Sequence, residues 1–118
     1  MLVTRTEIVD VPNAVNTVLQ IRETSSYQRT LYFENRDDSA TISVVIQKST
    51  DGSTWTNVGV SFDLSPAGGG TEIATKNVTD TNQLRIRASG GADDQELSVG
   101  CVTYYSDTAP IVWVSPII

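Results

Sequence analysis

Acid–base or nucleophilic chemistry near neutral pH needs side chains that titrate or attack there. This 118-residue chain has no histidine, one cysteine (Cys101) and two lysines (Lys48 and Lys76). Without an imidazole, the usual hydrolytic triads lack their base. Cys101 falls in the alternation Leu97, Val99, Cys101, which places it on the apolar face of a strand as a buried structural thiol. Paired carboxylates remain as an acid and base for a glycoside, with Glu34, Glu72 and Glu96 as candidates, but each reads as an outward polar position in or beside a strand. Asp37-Asp38, Asp51 and Asp93-Asp94 offer oxygen ligands of the kind calcium takes. No calcium-loop spacing joins them, and turn chemistry accounts for each. Trp55, Tyr27, Tyr32, Tyr104 and Tyr105 could form an aromatic platform for sugar rings. Tyr104 and Tyr105 are neighbours on a strand, so they point to opposite faces. Gly68-Gly69-Gly70 reads as a loop and not a phosphate cradle, because the segment after it, Thr71–Thr75, reads as a strand and not as a helix whose amides could face an anion. The chain thus reads as non-enzymatic, with no cofactor.

The elements that carry these residues are strands. Between Ile42 and Val58 the sequence spells a β-hairpin. Ile42, Val44 and Ile46 share one face, Thr41, Ser43 and Gln47 the other, and Ser49-Thr50-Asp51-Gly52 breaks the run before Trp55 and Val58 resume it. Similar segments recur at about the 8–12-residue spacing of an antiparallel sandwich. They lie near Val3–Val9, Asn16–Arg22, Arg29–Asn35, Ala40–Lys48, Thr54–Val60, Thr71–Thr75, Gln83–Ala88 and Glu96–Tyr105, and no amphipathic helix interrupts them. The connectors 35–39, 65–70 and 89–94 are rich in turn formers. About eight strands imply an all-β antiparallel sandwich, jelly-roll or Ig-like. In Leu84-Arg85-Ile86-Arg87 the alternation turns the aliphatic pair to the core and both arginines to solvent, where they could meet an acidic partner but are expected to pair with carboxylates on a neighbouring strand.

The chain length matches a single core. The 15 Thr and 12 Ser favour strands and polar surfaces. A net charge of −6 with only eight basic residues argues against a nucleic-acid partner, since phosphate binding rests on Lys and Arg. One cysteine cannot form an intramolecular disulfide, so stability must come from burial or assembly. No charged segment precedes an apolar one at the start, and no run reaches the roughly 18 apolar residues of a membrane helix. The expectation is cytoplasmic synthesis without membrane association, which makes the acceptor triplet Asn77-Val78-Thr79 a chance match.

The ends differ from the middle, and the chain divides into an N-terminal strand or arm (1–14), a sandwich (15–108) and an apolar C-terminal arm (109–118). Nine of the last ten residues are apolar, Ser115 being the exception, and Pro110 and Pro116 resist a helix. Left in water, such a segment invites aggregation. Fully covered, Ile111, Val112, Trp113, Val114, Ile117 and Ile118 would contribute on the order of 10 kcal/mol, comparable to the stability of a domain. The segment could tuck along its own sandwich or lie across a neighbouring subunit, and on the second, preferred reading these six are the intersubunit contacts. Leu2, Val3, Ile8 and Val9 form a second set, although the stretch equally reads as an ordinary edge strand.

The segment Val45-Ile46-Gln47-Lys48-Ser49-Thr50-Asp51-Gly52-Ser53-Thr54-Trp55-Thr56-Asn57-Val58, with Leu84-Arg85-Ile86-Arg87-Ala88 downstream, resembles small structural proteins of tailed bacteriophages. The resemblance covers about half the chain. Combined with an apolar arm and no catalytic set, it looks most like a capsid decoration or cement protein. That resemblance implies a homotrimer on the virion capsid surface, assembled in the host cytoplasm, whose partner is the major capsid protein and whose role is to clamp adjacent capsomers. A carbohydrate-binding sandwich with a glycan ligand and a tail or baseplate module are the alternatives.

Overall fold

The structure, a computed structural model, describes residues 2–22, 24, 28–79, 82–92 and 95–104. Among them are nine strands and no helix: β1 (Leu2–Val11), β2 (Asn16–Ile21), β3 (Gln28–Asn35), β4 (Ile42–Ser49), β5 (Thr56–Asn57), β6 (Phe62–Leu64), β7 (Ile73–Val78), β8 (Gln83–Gly90) and β9 (Gln95–Tyr104). They form two antiparallel sheets, ordered β1-β9-β3-β7 and β2-β8-β4-β5, with β6 also on β4. Apart from the local run β4–β5–β6, successive strands alternate between the sheets. That is the jelly-roll order and not the Ig-like one, so it selects between the two sandwiches the strand spacing allows. The N-terminal stretch is a full strand, paired with β9 from Leu2 opposite Tyr104 to Val11 opposite Gln95. The C-terminal arm, 109–118, lies outside the described residues.

Alternation builds the core directly. Val9 and Val11, Leu31 and Phe33, Ile42, Val44 and Ile46, Leu84, Ile86 and Ala88, and Leu97, Val99 and Cys101 all turn inward and are buried. On β2 the register shifts between Thr17 and Leu19, so Val18 and Leu19 are both buried despite being neighbours. Phe33 meets Phe62 across the two sheets, edge to face, with centroids 5.2 Å apart. Lys76 closes that side with its ammonium 4.5 Å from the Phe62 ring centre.

The hairpin begins as expected and then departs from the expected strand over Thr54–Val60. Gln47 and Lys48 pair with Asn57 and Thr56, and Ile42 to Val44 pair with Leu64 to Phe62. Four residues separate Asn57 from Phe62 where two separate Gln47 from Val44, so the returning strand carries two extra residues. Gly59, at φ +73°, turns this excursion, and Val60 stands 84% exposed at its tip. The pattern at Val58 and Val60 therefore merges two short strands into one, and β6 escapes it. The preceding turn is tied by Asp51, whose Oδ1 accepts from Ser53 N (2.8 Å), Thr54 N (2.9 Å) and Ser49 Oγ (2.9 Å). Those donors favour the carboxylate and lower the Asp51 pKa to about 2, led by the Thr54 and Ser53 amides.

One end of the sandwich is closed by buried polar side chains. Asn35 Nδ2 donates toward the carbonyls of Ala40 (3.0 Å), Ser65 (3.0 Å) and Leu64 (3.3 Å), while Asp37 N donates to its Oδ1 (3.0 Å). Gln95, equally buried, donates from Nε2 to the same Ala40 carbonyl (2.7 Å) and accepts from Ala92 N (3.0 Å). The arrangement requires glycine at 90, because a Cβ there would come within 2.3 Å of Gln95 Oε1. Asn35→Ala removes a donor shared by three carbonyls and is expected to cost about 2–3 kcal/mol. That is a fall in Tm on the order of 10 °C by calorimetry, whereas exposed Asn57→Ala should stay within about 0.5 kcal/mol. Because its folded pKa is depressed, Asp51 stabilises the fold fully above about pH 4 and ceases to do so as pH falls toward 2. Denaturant midpoints measured from pH 5 to pH 2 should therefore fall more steeply for the wild type than for Asp51→Asn.

Candidate functional site

Each sheet turns one face to solvent, and the two faces differ in chemistry. On the β1-β9-β3-β7 sheet, pairing sets three central outward rows: Thr4, Val102, Thr30, Asn77; then Thr6, Gly100, Tyr32, Thr75; then Ile8, Ser98, Glu34, Ile73. Of these twelve positions only Glu34 is charged. Ile8, Tyr32 and Ile73 are 52%, 44% and 63% exposed on this face, with Ser98 and Glu34 between the two isoleucines. Gly100 leaves a gap between Thr6 and Tyr32 and opens a groove of about 390 Å³. A Cβ at Gly100 would meet Tyr32 Cβ at 3.5 Å and Thr6 Oγ1 at 3.6 Å, ordinary contacts, so the missing side chain shapes the surface without being forced by the backbone. An isolated glycine inside the run Val99-Gly100-Cys101 is the one sequence signal that could have located this groove. At one end of the face Asp10 pairs in register with Glu96, and Glu96 stands 3.7 Å from Arg36 Nε.

The outer face of the β2-β8-β4-β5 sheet is built around Arg85 and Arg87. Arg85 Nε donates to Gln47 Oε1 (2.7 Å), Gln47 Nε2 donates to Asn57 Oδ1 (2.9 Å), and the Arg85 guanidinium lies 4.5 Å over the Trp55 ring. Arg87 Nη1 donates to Thr17 Oγ1 (3.2 Å). Both arginines point outward as the alternation requires, but their partners are an amide and a hydroxyl and not the expected carboxylates. The strands on either side of β8 put Thr17, Gln20, Val45 and Gln47 opposite them, so no acid is within the register. Burial, and then the charge of Arg87, lowers the Arg85 pKa.

Of the residues with chemical potential, Glu34 and Glu72 line one pocket of about 330 Å³ with Arg36, and the others are dispersed. The expected aromatic platform is divided: Trp55 lies against Arg85 on one sheet, while Tyr32 and Tyr104 belong to the other. Tyr27 and Tyr105 are outside the described residues. Glu72 Oε2 accepts from Gly70 N (2.8 Å), Glu96 pairs with Arg36, and Glu34 stands on the groove face. Asp37 Oδ1 accepts from Ser39 N (2.9 Å), Asp51 holds its own turn, and Asp93 and Asp94 are not among the described residues. Among the described residues no three His, Cys, Asp or Glu side chains cluster as metal ligands would. Of the expected contact residues, Ile8 faces outward, Val9 belongs to the core and Val3 is half-buried; for Leu2 only its backbone pairing with Tyr104 is described. Ile111, Val112, Trp113, Val114, Ile117 and Ile118 fall outside the described residues.

No protein-family model matches the sequence, and no curated protein matches it. Solved structures share its fold at low identity. One is from Bacillus endospore appendages, described as disulfide-linked pili, at 13% identity over 89% of each chain with a TM-score of 0.54. Another is PirA, at 14% identity over 86% of this chain and 93% of that one, TM-score 0.53. A chain of Desmodium yellow mottle tymovirus aligns over 98% of this chain and 91% of its own at 8% identity, TM-score 0.49. What the first two likenesses establish is the sandwich fold itself.

Cys101 is 4% exposed and faces Thr103 Oγ1 at 3.5 Å inside the core. A thiol reagent should therefore label it only as fast as the domain opens, and full labelling should require denaturant.

Proposed function

We propose that this chain is a non-enzymatic structural protein of a virion, a capsid decoration or cement protein that oligomerises and clamps adjacent capsomers. The observation that carries the reading is the outer face of the β1-β9-β3-β7 sheet, where Ile8, Tyr32 and Ile73 stand exposed among twelve positions with a single charge. A face of that kind suits docking against protein. The placement of Glu72, Glu96 and Cys101 supports a non-catalytic role, since Glu72 accepts from Gly70 N, Glu96 is paired with Arg36 and the thiol is buried. The Bacillus appendage subunits are described as disulfide-linked. Here Cys101 is the chain's only cysteine, and its burial in the core leaves assembly to noncovalent contact.

In this reading the partners are further copies of the chain, as a homotrimer, and the major capsid protein. The arm residues Ile111, Val112, Trp113, Val114, Ile117 and Ile118 bind a neighbouring subunit, with Ile8 adding to the contact from β1. Multivalent attachment would hold the clamp on the capsid even where each contact is weak. The test is the solution mass by light scattering of the full chain and of a version ending at Thr108, each at two concentrations. A trimer that dissociates on truncation is the expected result, to be followed by binding to capsids. A monomer in both cases overturns the trimer and moves the assignment to a glycan-binding or single-copy module.

A further inference from the structure

The two outer faces carry opposite charge, although the chain as a whole is acidic. The β2-β8-β4-β5 face holds Arg85 and Arg87 at its centre and Arg22 at its end, with Asp63 as its acid, and Ser43 Oγ already donates to Asp63 Oδ1 (2.7 Å). The β1-β9-β3-β7 face holds Asp10, Glu34 and Glu96 against Arg36 alone. Among the described residues neither Arg85 nor Arg87 has a carboxylate partner, and each has guanidinium N–H groups beyond those used on Gln47 and Thr17. Stacking on Trp55 and the 2.7 Å bond to Gln47 hold Arg85 in place, which reduces the entropy lost when it meets an acid. In a chain of net charge −6, leaving two adjacent arginines without acids is a specific arrangement.

We infer that these faces are complementary docking surfaces for one another, so that a second copy of this chain seats its Arg85–Arg87 face on the Asp10, Glu34 and Glu96 face of the first. Apolar surface is present on both sides of such a contact: exposed Val15 and half-buried Val45 flank Arg87, and Ile8, Tyr32 and Ile73 lie beside Glu34. The contact is heterologous, using a different patch on each copy. Because the patches lie on opposite sides of one sandwich, repeating the contact leads away from the first subunit and does not close on it. The product is an open stack whose length grows with concentration, distinct from the arm-linked trimer of fixed size, and it draws on the same Ile8, Tyr32 and Ile73 face as the capsid reading.

Light scattering on the full chain at low and at high salt tests this. At low ionic strength the mass should rise with concentration without a plateau; at about 1 M salt, where screening acts within about 3 Å, it should fall to one fixed value. Arg85→Glu with Arg87→Glu makes both faces acidic, and Glu34→Arg with Glu96→Arg makes both basic, so each double variant alone should lose the rise. Mixed in equal amounts, they should regain it, because each then offers the face the other lacks. The neutral variants Arg85→Gln with Arg87→Gln, which also give up the contacts to Trp55, Gln47 and Thr17, should weaken stacking while keeping a cooperative thermal transition, which separates lost contact from lost fold. A concentration-independent mass for the wild type at low salt, or a mixture that stays dispersed while both variants melt as the wild type does, overturns the inference. Neither result bears on the trimer, which is read from truncation after Thr108 at high salt.

Discussion

In a jelly roll nearly every connection must cross from one sheet to the other, so the ends of the sandwich need anchors that a purely apolar core cannot supply. Asn35 and Gln95 provide them. They come from neighbouring strands of one sheet, β3 and β9, and both donate to the carbonyl of Ala40, on the path to β4 in the other. Asn35 also reaches Leu64 and Ser65 as the chain leaves β6 for β7. Buried amides in this position are directional, and unmade bonds there are costly, so they set where each crossing begins as well as holding it. Gly90 and Gly91 are small for the same reason: Gln95 and Ala40 occupy the space their side chains would need.

With the crossings anchored, the period of two does the rest. Inward residues interlock as one core, with Phe33 on Phe62 at its side. Outward residues are then free of the core and can differ between the sheets. One face becomes a hydroxyl-rich surface with exposed Ile8, Tyr32 and Ile73 and with Asp10, Glu34 and Glu96 toward one end; the other becomes a ladder of amides and arginines backed by Trp55. A sandwich fold is used for many purposes, and here the faces carry the functional argument.

The edges fit the same account. β1 is a ten-residue edge strand, and edges of that length tend to pair with other chains. Arg5 and Glu7, on its inward side, form a 3.1 Å ion pair across successive inward positions. Inward charge on an edge strand discourages unintended pairing. It leaves the broad faces, and not the strand edge, as the surfaces suited to specific docking.

Residues adjacent in the chain were enough to reveal most of the strands, the hairpin at Ser49 to Gly52, the inward turn of Leu84 and Ile86, and the outward turn of Arg85 and Arg87. Each depends on i, i+2 alternation or on residue type, which are local properties. The jelly-roll order, the splitting of β5 from β6, the neutral partners of the arginines, the separation of Trp55 from Tyr32 and the groove over Gly100 were not legible in this way. They arise where distant segments meet: Arg87 finds Thr17 70 positions away, Arg85 finds Gln47 at 38, and Gln95 finds Ala40 at 55. A single sequence shows which way a side chain faces, but strand pairing and register determine what it faces.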